Sequence, residues 1–340
     1  MHAQNIYTAL RPLLIFSKIF GLYPNKTAPN GGKWEHCSKI DLLWSVIFMV
    51  TSTTYIMYSL EVKIARDNDE LITEIGDLIN LSVSLLNCAV TTIVIVAMRK
   101  KVTILCNLRI RIHRLEPSFD IGKEYAKAKK YITSAVIVVI FLSVLYTVID
   151  VNLFLTVVTF RSVGIEVVAY LYPLLTITIT VMQFVTLALL VKQKFKWINL
   201  KLAKSRQQWH QSQKGNFFFF SPRKSRSISP AISRTLQISE KTATILENLR
   251  HRHYELCSIS QDLNTIYTVP ILLTCLYLFI SITFTIYFSF MSSSEFRTRS
   301  PVLYSVYYIV KGSIDCAALF ALVNASSRTR SEVLEFSIIG

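Results

Sequence analysis

Along this chain the hydrophobic positions fall into long runs. Six of them, 40–60, 75–98, 132–156, 163–191, 266–291 and 303–323, supply the ~20 mostly apolar residues a helix needs to cross a hydrocarbon core. Ile, Val, Leu, Thr and Phe dominate these runs, and Gly and Pro are scarce. A helix satisfies its own amides in lipid, whereas an open strand does not, and no run shows the two-residue alternation of a barrel strand. The pattern predicts an all-α, polytopic helical membrane protein with six transmembrane helices.

Between the runs the organisation is uneven. Residues 1–39 form an N-terminal segment, 40–191 hold helices one to four with short loops, and 192–265 form one long loop. Residues 266–323 hold helices five and six, and 324–340 are a C-terminal segment. Within the long loop, 211–233 (QSQKGNFFFFSPRKSRSISPAIS) is rich in Ser, Lys and Arg and reads as a disordered linker. Residues 236–265 read as a helix running into the fifth span. There Leu246, Leu249, Leu256 and Leu263 make a three-four stripe, with His253 and Ser260 in the remaining positions.

Charge adds a direction. The formal net charge of +16 would suggest a nucleic-acid partner in a soluble protein, but in a membrane protein it concentrates in cytoplasmic loops, so no nucleic-acid partner is expected. Lys and Arg number 5, 10, 14 and 2 in the segments on the N-terminal side, against 2, 1 and 2 on the other. The positive-inside rule therefore predicts a cytoplasmic N-terminus and cytoplasmic large loops. The first outer loop, EVKIARDNDELITE, is net acidic. The apolar stretch at 13–20 is interrupted by Lys18 and lacks the form of a cleavable signal. The sequon at Asn25 falls on the cytoplasmic side in this topology and would escape glycosylation.

Candidate chemistry is sparse. Six cysteines (37, 88, 106, 257, 275, 316) sit in cytoplasmic segments or spans, so no extracellular disulfide is expected. The six histidines make no metal-ligand spacing, and no common nucleotide, zinc-protease or hydrolase signature occurs, so neither metal, cofactor nor enzyme activity is expected. Ionisable groups inside spans need a reason, and Lys311, Asp315 and Asp150 are such groups. Lys311 and Asp315, four apart, can meet on one helical face. Two readings stand for these groups: mutual neutralisation in the bundle (with Asp150 at an interface), or a ligand or ion path. The outer halves of the spans carry Tyr146, Asn152, Tyr170, Tyr172, Tyr287, Tyr304, Tyr307 and Tyr308, a set suited to a small organic ligand. Interfacial anchoring is the alternative reading for each tyrosine.

Three segments, LRPLLIFSKIFGLYP at 10–24, HRHYELCSISQDLNTIYTVPILL at 251–273 and ASSRTRSEV at 325–333, together with span order and loop lengths, resemble the insect gustatory receptors. The resemblance implies a plasma-membrane chemoreceptor: a ligand-gated, cation-conducting tetramer in which a tastant lies among the outer halves of the helices. On that reading the ligand is expected near Tyr146, Asp150, Asn152, Tyr170, Tyr172, Tyr307 and Lys311. Members of that family end in a pore-lining seventh span bearing Thr-Tyr, five apolar residues and Gln-Phe. Here Gln183-Phe184 lacks the Thr-Tyr and the sequence stops at FSIIG, so the last helix is expected to be missing and conduction in doubt. A secondary transporter is the rival from another class. It would be expected to carry repeats and helices broken by Gly or Pro, which this sequence does not display.

Overall fold

The computed structural model describes residues 6–22, 39–64, 82, 122–155, 160–217, 230–294 and 301–339. Among them lie six helices: α1 (Ile6–Ile19), α2 (Lys39–Ile64), α3 (Gly122–Leu155), α4 (Phe160–Phe217), α5 (Pro230–Ser294) and α6 (Pro301–Ile339). No strand occurs among the described residues. Four helical stretches, Tyr125–Ile149, Leu171–Gln207, Ala243–Phe290 and Ser305–Glu332, are long and apolar enough to cross a membrane, and a shorter apolar helix covers Leu43–Tyr58. The protein is thus an all-helical membrane protein. The expected span at 75–98, most of the acidic outer loop, Asn25 and the linker core at 218–229 lie outside the described residues.

Thr- and Ser-rich spans are tolerable in lipid because the side chains bond their own helix. Thr147 Oγ1 donates to Ser143 O at 2.8 Å, Thr178 to Leu174 O at 2.7 Å, Thr180 to Thr176 O at 2.7 Å and Ser313 to Ile309 O at 2.7 Å. Each of these four hydroxyl protons finds the carbonyl one turn back, which spares it an unpaired exposure to lipid. Pro173 in α4 and Pro270 in α5 sit inside continuous helices.

The described chain divides into two compact units, Met1–Thr186 with Asn264–Asn324, and Leu187–Leu263 with Ala325–Gly340. In the first, α4 is the inner helix: Leu174, Leu175, Ile177, Ile179, Val181 and Val185 are all buried, whereas α3 exposes Val138, Phe141 and Val144 and α6 exposes Val306, Ile309 and Phe320. Ile177 of α4 packs with Tyr277 and Leu278 of α5, and Ala318 and Leu319 of α6 close over them. The opposite faces of the outer helices expose Val144, Leu272, Phe279, Ile309 and Phe320, large apolar side chains that suit lipid.

Helix α1 packs along α3 and ends on a glycine cap. Gly21 N donates to Lys18 O at 3.1 Å and Leu22 N to Ser17 O at 2.8 Å, the two bonds of a Schellman turn. Gly21 takes φ +71°, and a Cβ there would stand 3.0 Å from Ser45 Cα on α2. Glycine is required on both counts, for the left-handed backbone and for the close approach.

In the second unit the C-terminal turns of α6 pack on α4. Thr329 Oγ1 lies 3.3 Å from Ala188 O, Asn199 Nδ2 donates to Glu332 O at 3.1 Å, and Lys192 pairs with Glu332 at 3.9 Å. Leu249, Leu256 and Leu263 of the three-four stripe are buried with Phe195 and Ile198, while Leu246 is exposed.

Candidate functional site

Helix α6 carries Tyr307, Lys311 and Asp315 at successive four-residue steps, which places them on one face. That face turns inward: Lys311 is 9% exposed and Asp315 1%. The Asp315 carboxylate accepts the Ser281 hydroxyl of α5 at 2.7 Å, and the Lys311 charge acts on it through space. A buried carboxylate is costly unless hydrogen-bonded and offset by a cation, and both conditions are met here. The α5–α6 seam is tight at this level. A Cβ on Gly312 would stand 3.0 Å from Thr285 Cγ2, so the absence of a side chain lets the two backbones approach.

One turn before Lys311, Tyr307 meets α3. Its hydroxyl lies 2.6 Å from that of Tyr146, with ring centroids 5.2 Å apart. The aromatic surface continues through Tyr308, 5.3 Å from Tyr307, to Phe288 of α5 at 5.8 Å and on to Phe284 and Tyr287. Three helices thus converge on a patch of rings with paired hydroxyls at one end and a buried ammonium one helical turn away. Such a patch offers stacking faces, hydroxyl donors and acceptors, and one positive charge to a small polar organic molecule.

The other residues marked in the sequence are placed as follows. Tyr172 is buried on α4 with its ring 5.1 Å from Phe48 of α2. Asn152 is exposed and donates to Val148 O at 2.7 Å. Asp150, Tyr170 and Tyr304 belong to α3, α4 and α6, and their side chains lie outside the described residues. Among the described residues no group of three or more His, Cys, Asp or Glu gathers as a metal site.

A second polar cluster is not apparent from sequence. Gln183 of α4 donates through Nε2 to Ser17 of α1 at 2.8 Å and accepts from Tyr267 of α5 at 3.3 Å, while Ser17 itself donates to Leu13 O at 2.7 Å. Phe184 packs against the Tyr267 ring at 5.7 Å. Ser17 is wholly buried. The available signals were weak: one amide in an apolar run, and one serine in a short amphipathic segment.

In the second unit, His253 of α5 lies edge-on to Phe195 at 5.3 Å, with Nδ1 3.6 Å from Cys257 Sγ. Burial holds the His253 pKa below the ordinary histidine value and pushes the Cys257 thiol up.

All-helical spans with an inward polar face define a polytopic helical membrane protein. The family model for the 7tm Chemosensory receptor matches residues 10–339, and the chain belongs to that family. The family is one of chemoreceptors and is not an enzyme family. A comparison with curated proteins gave no match.

Proposed function

We propose that this chain is a gustatory receptor subunit of the plasma membrane: a ligand-gated cation channel, assembled as a homo- or hetero-tetramer, that responds to a small organic tastant. The observation that carries the reading is the Tyr146–Tyr307 pair beside buried Lys311, at a point where α3, α5 and α6 converge. Family membership supplies chemoreception; this patch supplies a place with the right chemistry. The tastant would stack on the rings, exchange hydrogen bonds with the two hydroxyls, and draw on Lys311 for any electronegative group. Asp150, Asn152, Tyr170 and Tyr172 complete the candidate set as outer contributors. A ligand opens such a channel only if it binds the open arrangement more tightly than the closed one.

Two readouts separate binding from conduction. In detergent-solubilised protein, a tastant that binds raises the unfolding temperature in a concentration-dependent way. In cells expressing the protein, the same compound evokes a cation current. Tyr307→Ala should weaken the half-maximal concentration of both responses about 10-fold, equivalent to ~1.4 kcal/mol. A thermal shift unchanged by Tyr307→Ala and by Lys311→Met would place the ligand elsewhere. A shift without current would support recognition and count against the channel role.

A further inference from the structure

The threonines of α4 and α5 are of two kinds. Thr178 Oγ1 donates to Leu174 O at 2.7 Å, Thr180 to Thr176 O at 2.7 Å, Thr268 to Asn264 O at 2.6 Å and Thr283 to Phe279 O at 2.8 Å, each one turn back along its own helix. Thr176 and Thr274 do not. Both are buried, at 1% and 0% exposure, and among the described residues neither hydroxyl has a hydrogen-bond partner. An unmade bond in the interior is costly, and the carbonyl one turn back satisfies the neighbouring threonines. Two hydroxyls turned away from it therefore point to a partner between the helices.

The two threonines meet across one seam. Tyr267 of α5 donates to Gln183 of α4 at 3.3 Å. Contacts fall from Gln183 to Ile177 on α4 as they rise from Tyr267 to Leu278 on α5, so the helices run antiparallel. Thr176 stands seven residues from Gln183, and Thr274 seven from Tyr267, in the same direction across the membrane. Seven residues are about two turns, which returns each threonine to the face of the residue it is counted from, about 10 Å further on. Packing gives the same register independently: Ile177, next to Thr176, lies against Tyr277 and Leu278, within one turn of Thr274.

The chemistry of the place selects its occupant. Between Glu166 and Lys192 α4 carries no charged residue, and α5 carries none from Leu263 to its end. The Asp315 carboxylate of α6 is engaged by Ser281, seven residues beyond Thr274. Two neutral hydroxyls, each able to donate and to accept, suit a water better than an ion, and their burial admits no organic molecule. Room for it follows from side-chain size, because Ile177, Tyr277 and Leu278 set the helix spacing beside a pair of short threonines.

We propose that an ordered water bridges Thr176 and Thr274 inside the membrane bundle. The inner line of α5 then reaches a neighbour at every second turn: Tyr267 to Gln183, Thr274 through water to Thr176, and Ser281 to Asp315. The site lies within one compact unit of one chain, and it does not depend on a tastant at the tyrosine patch.

The test uses the full chain in phosphatidylcholine nanodiscs, with Thr176→Val and Thr274→Val made singly and together. Valine keeps the shape and removes the hydroxyl. Each single change should lower the unfolding temperature, and the double should lower it no further than the larger single, because either valine already breaks the bridge. Additive losses would overturn the proposal. So would a rise with either valine, which marks a dry hydroxyl whose removal relieves a cost. X-ray footprinting gives a second reading, since hydroxyl radicals formed from a bound water oxidise the side chains around it. Buried Ile177 and Tyr277 should be oxidised in the unaltered chain and severalfold less in the double variant. Equal oxidation in the two chains, or none in either, would equally overturn it.

Discussion

At the residue scale, the tyrosine pair and the glycine seam make separate claims. The Tyr146–Tyr307 hydroxyl contact is a hydrogen bond between helices in a low-dielectric setting, where such bonds contribute about 0.5–2 kcal/mol. A double-mutant cycle with Tyr146→Phe and Tyr307→Phe should return a coupling in that range from chemical or thermal unfolding; a coupling of zero would show that the contact contributes nothing to stability. Gly312→Val forces branched carbon towards Thr285 Cγ2, which is buried and would stand 3.0 Å from the new Cβ. A loss of about 1–3 kcal/mol is expected. Thr285→Ser, which removes that methyl and keeps the hydroxyl, should restore part of it. Neither effect was legible in sequence. The tyrosines were visible as a set, but the sequence does not say that Tyr146 pairs with Tyr307 while Tyr172 turns to Phe48. Rotation of each helix about its axis decides that, and a run apolar on all sides does not encode rotation.

At the element scale, α1 is the part least expected from the sequence. Its attachment through Ser17 and Gln183 ties it to α4, and Tyr267 extends the tie to α5. Gln183→Leu removes both bonds while keeping similar volume. Amide exchange across residues 10–19 should rise, with exchange in the α4–α5–α6 core around Ile177 and Leu278 unchanged. An equal rise in both places would mean that Gln183 serves general packing and is no specific tie. Four of the six apolar runs fall wholly within described helices, and a fifth, 132–156, does so through Leu155, because a run of that length in lipid has one backbone solution. The helices are much longer than the runs, α4 reaching Phe217 and α5 starting at Pro230. A helix already nucleated in the membrane extends outward at little cost, even through Ser- and Lys-rich sequence.

At the scale of the whole molecule, the unit Leu187–Leu263 with Ala325–Gly340 has a pH sensitivity of its own. His253 lies thirteen residues before the fifth apolar run, on the part of α5 that belongs to this unit. Its pKa in the folded unit is lowered from 6.5 by burial. The neutral form is therefore the one the fold favours. Stability is full above pH 6.5, and it is lost as pH falls from there through the depressed folded value, where the unfolded chain binds the proton first. Unfolding of this unit should thus ease between pH 7.5 and 5.5, followed by proteolysis or exchange at 187–263. His253→Gln should flatten that dependence, and an unchanged slope would assign it to other groups.

What the sequence determined by itself is what local composition controls. Apolar runs dictate helices in a membrane, and the combination of loosely matching segments and span order carried the family. What only the tertiary structure decided are the meetings of distant residues: Tyr146 with Tyr307, Ser17 with Gln183, Gly312 with Thr285. The reason is physical. In water, apolar side chains point inward and betray the core, but in lipid both faces of a helix are apolar. Which face meets a neighbour is then settled by close packing and hydrogen bonds between helices, and those are properties of the assembled bundle.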